Sequence, residues 1–219
     1  MSYKATHDPP ARQAAGMPIK ARPKARSAQV RVVRHGETDW NVEGILQGWI
    51  DVELNDQGRR QARELAAAFA GSGFSRVYSS PLSRALETAE IICKVLQLTP
   101  PVCLEGIKER NFGAIQGIPK SELAELNPVL LQQILKRNPA CCFEQGEAMD
   151  DFAHRVLEAI MSIAATNAGK RVLVITHGWV MDVITRHLHN LPPRALLSMK
   201  WKNGECQWLE VTGHSIRHA

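Results

Sequence analysis

Two short apolar runs in this chain end in the same way. Val30, Val32 and Val33 flank a single arginine and stop, with no intervening turn residue, at Arg34-His35-Gly36. Far downstream, Arg171 to Thr176 (RVLVIT) stops at His177-Gly178. Both runs are too short for helices and rich in β-branched residues, which suits buried strands. In sheets of parallel strands, ligands bind beyond the carboxyl ends, most often where strand order reverses. Two strand-end histidines therefore face one site. One such histidine could be satisfied by a backbone carbonyl, but the repeated arrangement points to chemistry.

The segments between these runs alternate in the manner of an α/β fold. Asn55 reads as the N-cap of a helix over 56–70, with Ala62, Leu65, Ala66 and Phe69 on one face and Gly71 and Gly73 ending it. Arg76 to Ser80 reads as a strand, and Ser80-Pro81 as the cap and first-turn proline of the next helix. Val102 to Glu109 is a third expected strand, and 119–137 a helical stretch broken at Asn127-Pro128. Met149 to Ala168 carries Phe152, Val156, Ile160 and Ile163 at helical spacing. Leu196 to Lys200 and Glu205 to Val211, joined through Asn203-Gly204, are expected to complete the sheet. The expected fold is a three-layer α/β/α sandwich with a mostly parallel sheet, spanning 29–219, with a short helical lid inserted at about 110–145.

The net charge of +5 invites a nucleic-acid reading until it is located along the chain. Residues 1–28 hold six basic residues against Asp8 alone, which accounts for the whole excess. That segment also contains four prolines, so it reads as a disordered basic tail and the body is formally neutral. No nucleic-acid partner is expected. An apolar run long enough to span a bilayer is absent, as is a secretory-signal core, so no membrane association and a cytoplasmic location are expected. Five cysteines without a C-x-x-C pair indicate neither a disulfide framework nor a zinc site.

Near the two histidines the sequence offers Arg34 and, in the first turn of the helix after Pro81, Arg84. Clustered guanidiniums repel a metal ion and attract an oxyanion; their forked donors match phosphoryl oxygens. A neutral imidazole is then a natural nucleophile towards phosphorus. Glu109, just before a glycine-bearing loop, is the best-placed proton donor for the leaving oxygen, although pairing with Lys108 or Arg110 at the surface is the plainer reading of that glutamate. No P-loop or glycine-rich dinucleotide motif is present.

Arg34-His35-Gly36-Glu37-Thr38 with Asn41 resembles the signature of the histidine phosphatase superfamily, phosphoglycerate mutase-like branch. Gln47-Gly48-Trp49, Ser79-Ser80-Pro81-Leu82-Ser83-Arg84-Ala85, Glu109 with Gly113 and Gly117, and Thr176-His177-Gly178 resemble its later blocks, in order, from Val30 to about Val211. The resemblance implies a pocket of Arg34, His35, Arg84 and His177, with His35 phosphorylated, Glu109 as proton donor and acceptor, and no metal. It also implies substrate contacts from Asn41, Gln47 and Gly178. Ile45 and Ala148 depart from the family pattern, where an arginine and a serine or threonine are usual.

The shared pocket serves hydrolases and mutases alike. In the family the chain resembles, cofactor-dependent phosphoglycerate mutases carry a considerably longer segment there; the resemblance therefore implies that the shorter lid, Arg110 to Gln145, favours water as acceptor, hence a phosphatase of small phosphorylated metabolites without cofactor, as monomer or homodimer. A phosphoglycerate mutase, needing a bisphosphoglycerate primer, is the alternative; a phosphoprotein-directed phosphatase or phosphate-binding module is the alternative of another class. Lys136-Arg137 would suit a second anion but reads more simply as a solvated helix end.

Overall fold

Strand β1 (Ala28–Arg34) lies inside a six-stranded sheet in the computed structural model, which describes residues 26–191, 195–197 and 199–219. With β2 (Phe74–Ser79), β3 (Val102–Cys103), β4 (Arg171–Thr176), β5 (Cys206–Val211) and β6 (Ile216–His218), the order is β3-β2-β4-β1-β5-β6. The first four strands are parallel; β5 runs antiparallel to β1 and β6 to β5. Of the tail expected to be disordered over 1–28, residues 1–25 lie outside the described residues, and Ala28 is already buried in the sheet opposite Val211.

Alternation along the strands builds two cores. Val30, Val32, Val172 and Val174 face α6 (Met149–Thr166) and α7 (Gly178–Leu188), meeting Phe152, Val156, Ile160 and Ile184. Val33, Leu173 and Ile175 face α2 (Asp56–Ala68) and α3 (Ser83–Leu96), meeting Ala66, Ala85, Ala89 and Ile92. The three layers are those the sequence predicts. A single-turn α1 (Asp39–Val42) interrupts the expected loop, and the lid contains α4 (Lys120–Leu126) and α5 (Pro128–Leu135), separated at Asn127. Among the described residues no helix is long and apolar enough to cross a membrane.

Three expectations are corrected. The strand over Val102–Glu109 stops after two residues, because the chain turns into a 3-10 helix at Glu105–Ile107. Gly106 there packs on α6, where an added Cβ would lie 2.7 Å from the Ala159 Cβ. Described residues of 196–200 form no strand; beyond them, Trp201 O is taken by the Arg34 side chain. β5 pairs instead with β6, across a turn closed by Thr212 N to Ser215 O at 2.8 Å. Finally, α3 starts at Ser83 with no capping side chain, and Ser80 is used elsewhere.

The loop after β1 is fixed by a close backbone approach. Asn55 caps α2 by accepting from Gly58 N at 2.8 Å. A Cβ on Gly58 would lie 2.1 Å from Glu37 O, and one on Gly36 would lie 2.6 Å from Gly58 O. Helix propensity alone makes Gly58→Ala stabilising by about 1 kcal/mol. The contact reverses the sign: urea unfolding should show a loss of about 1–3 kcal/mol, the usual cost of overpacking. A stabilised Gly58→Ala variant would contradict the close approach.

Candidate active site

Adjacent strands bring the histidines together. Arg34 stands opposite Thr176 in the β1–β4 register, so His35 and His177 leave the sheet side by side, with His35 N donating to Thr176 O at 2.9 Å. Their rings lie edge to face with centroids 5.1 Å apart. On the other side of β4, Ser80 at the end of β2 donates its N–H to Ile175 O, and its hydroxyl is 2.8 Å from His177 Nε2. His177 is the N-cap of α7, whose first amides point into the same space.

The His35 tautomer follows from its partner. Nδ1 is 2.6 Å from Gly36 O, and a carbonyl can only accept, so Nδ1 carries the proton and Nε2 keeps its lone pair. Burial, then the charges of Arg84 and Arg34, hold the His35 pKa well below the usual imidazole range. Burial, Arg84 and His35 do the same to His177. Both rings are therefore neutral at physiological pH. Burial lowers Arg34 and Arg84 to about 10, leaving both cationic.

Arg84 is fully buried and oriented by Gly48 O at 2.8 Å and Ile50 O at 3.1 Å. Arg34 is held by Trp201 O at 2.5 Å. The Nε atoms of both arginines, His177 Nδ1 and Gln47 Oε1 are buried without hydrogen-bond partners among the described residues. Leaving a buried polar group unpaired costs about 1–3 kcal/mol. Arg34 and Arg84 line one cavity, and His177 stands directly behind His35 at its edge, so unpaired donor capacity collects on the side that an anion would occupy.

Glu109 is buried, against the surface-pairing reading. Lys108 pairs instead with Glu105 at 3.2 Å, and Arg110 binds Glu147 O and Cys141 O. The Glu109 carboxylate accepts from Arg110 N at 3.0 Å and Trp179 N at 3.4 Å. Its loop is clamped by Arg155 of α6, which donates to the carbonyls of Gly106, Lys108 and Glu109 while pairing with Glu147 at 2.5 Å. Trp49 Nε1 adds a bond to Glu109 O at 2.7 Å.

Arg34, His35, Asn41, Gln47, Arg84 and Glu109 line one cavity of about 140 Å³. Asn41 Oδ1 is committed to Thr38 N in a capping box and to Asn203 Nδ2, which leaves the amide nitrogen as its free donor. Gly178 lies behind the wall: a Cβ there would sit 3.2 Å from Arg137 Nη2 and 3.7 Å from Arg34 Nε, so its lack of a side chain makes room for both guanidiniums. No group of three or more metal-ligating residues occurs among the described residues.

The family model for histidine phosphatases, branch 1, matches residues 30–218. The chain belongs to the histidine phosphatase superfamily. It is 37% identical over 156 residues to phosphoglycerate mutase-like protein 4 of Arabidopsis thaliana, covering 70% of this chain and 68% of that protein. It is 36% identical over 158 residues to the metal-independent phosphoserine phosphatase of the same plant, covering 71% and 66%. Among solved structures, Bacillus stearothermophilus YhfR superposes with a TM-score of 0.81 at 31% identity, over 88% of this chain and 95% of that one. Phosphatase and mutase names thus both occur among the relatives of this superfamily member.

Sequence reasoning missed several residues that shape the site. Arg137 is no solvated helix end: it lines the cavity and pairs with buried Asp182 at 3.4 Å. Lys120 and Lys200 join it. Asn203, read only as a turn residue, donates to His35 O and Gly36 O. Only Arg137 carries a local signal, the Lys136-Arg137 pair, and its burial cannot be read locally; the others act across more than a hundred residues or from an insertion. Nitrogen-15 NMR of the imidazoles should show both site histidines neutral at pH 6.5, with His35 protonated at Nδ1. A midpoint above 6.5 for either would overturn the electrostatic reading.

Proposed function

We propose that the protein is a metal-independent phosphomonoester hydrolase that acts on small phosphorylated metabolites through a phosphohistidine. The observation that supports this most directly is the fixed His35 tautomer: Gly36 O holds Nδ1, and Nε2 is left as a nucleophile beside the guanidiniums of buried Arg84 and half-buried Arg34. His35 Nε2 attacks phosphorus as the ester P–O bond breaks, and Glu109 protonates the departing oxygen. Water then attacks the phosphohistidine, giving its proton to Glu109, and His35 leaves with phosphate as product. Arg34, Arg84 and His177 stabilise the charge on the phosphoryl oxygens throughout. Asn41 and Gln47 complete the phosphate or substrate contacts.

Water as acceptor is supported by the brevity of the lid, and a small substrate by the cavity of about 140 Å³. The cations Lys120, Arg137 and Lys200 near its mouth give the mutase reading its own support, since a phosphoglycerate carries a second anionic group. Rapid quench with a phosphoester should trap an acid-labile phosphoenzyme that His35→Ala lacks; its survival in the variant would remove His35 as nucleophile. In the same assays 3-phosphoglycerate with a bisphosphoglycerate primer should release phosphate. Formation of 2-phosphoglycerate without phosphate would assign the mutase.

Glu109→Gln should slow phosphoenzyme formation about 100-fold or more for alkyl esters, within the range of general acid catalysis. Aryl esters with good leaving groups should be nearly unaffected. Equal slowing of both classes would give Glu109 a structural role.

A further inference from the structure

We infer that Arg137 determines specificity for a carboxylate on the part of the substrate that does not leave as phosphate, and that Asp182 is the residue that positions it. The inference rests on the phosphate pocket proposed above, and concerns further cations that line the same cavity.

Arg137 follows α5 at the end of the lid, in a positive-φ conformation (φ 52°) that turns the chain back towards α7. Its guanidinium lies against Gly178, packs on the Trp179 ring at 5.1 Å from the centroid, and pairs with Asp182 Oδ2 at 3.4 Å. Neighbouring charge works against that placement. Arg34 is held down in pKa by burial and then by Arg137, and Lys120 by burial and then by Arg137, Lys200 and Arg34. Four cations thus converge where a monoanionic or dianionic phosphoryl group already has Arg34 and Arg84. The surplus of Lys120, Arg137 and Lys200 over those two matches a second anion, and the forked donors of a guanidinium held in place match the two oxygens of a carboxylate.

Asp182 is 1% exposed, one turn into α7, and neither of its oxygens has a hydrogen-bond partner among the described residues. A buried carboxylate with no hydrogen bonds is costly to the fold. Its compensation among the described residues is one long ion pair, so its service is to hold Arg137 against the repulsion of Arg34, Lys120 and Lys200. Burial raises Asp182 to about 6, against the pull of Arg137; Glu109 raises it further, while Arg186 on its own helix and Arg34 on β1 lower it. Protonation below that pH releases Arg137.

The test compares 3-phosphoglycerate with glycerol 3-phosphate, which differ by a carboxylate against a hydroxymethyl group. Calorimetric binding in a His35→Ala background reads the clamp without turnover. The ratio of the two affinities cancels the titration of the shared phosphate. We expect the carboxylate ligand to bind about tenfold tighter at pH 7.5, the scale of one charge-assisted hydrogen bond. Arg137→Gln should abolish that preference, and Asp182→Asn should reduce it about threefold without lowering Tm, because it removes a carboxylate that burial penalises. The double variant should be no worse than Arg137→Gln, and the preference should fall through pH 6 only where Asp182 is present.

A preference retained in Arg137→Gln overturns the specificity assignment. A preference unchanged or increased in Asp182→Asn, or lost only with a fall in Tm, overturns the positioning role. Discrimination seen only with glycerol 1,3-bisphosphate replaces the carboxylate by a second phosphate and also overturns the proposal. Phosphate release by the wild type from the same esters is scored separately, so failure of the hydrolase reading is distinguishable from failure of the clamp.

Discussion

The hydrogen bond from His35 N to Thr176 O, the last rung of the parallel β1–β4 ladder, is the contact on which the site depends. It fixes both histidines at the same height above the sheet and leaves them 5.1 Å apart. A one-residue slip in register would send one ring to the opposite face. Burial of alternating valines and leucines against both helical layers prevents that slip, because each face has its own set of partners. The precision of the site therefore comes from the core beneath it. Gly36 and Gly58 extend the same constraint sideways, seating the post-β1 loop on α2 through backbone contact that a side chain would break.

Burial of positive charge is the cost of this arrangement. Arg84 and Arg34 are desolvated enough to fall to about 10, and they are oriented mainly by carbonyls rather than by paired carboxylates. Unpaired buried ions cost several kcal/mol each. The same conditions keep the imidazoles neutral and make each donor more effective towards an anion, since there is little solvent to compete. Stability is given up where donors for an anion are gathered.

The lid adds a second set of cations with a different physical basis. Its helices deliver Lys120 and Arg137 to a cavity whose floor is built by the sheet, and Trp179 and Asp182 on α7 receive Arg137 from the core side. Floor and lid thus meet on α7, the helix that His177 caps. Changes in the lid can alter the lining of the cavity while the histidines and Arg84 stay fixed, and phosphatase and mutase names occur together among the relatives of this superfamily member.

The sequence by itself determined the parallel α/β layering, the two strand-end histidines and the candidacy of Arg34 and Arg84, because each depends on local periodicity or on a residue's distance from a strand end; Glu109 was reached through a strand end that the structure replaces by a loop. It misjudged where strands stop: Val102–Glu109 is mostly a turn, since Gly106 packing on Ala159 and the clamp of Arg155 on three carbonyls are contacts between distant segments. It also misread Arg137, whose charge looks solvated until α7 supplies Asp182. Ser80 looked like a helix cap and became a partner of His177. Only the tertiary structure decided the His35 tautomer, the burial of the charges and the cationic mouth of the cavity, because burial and electrostatic environment belong to no residue alone and exist only once separate elements have packed together.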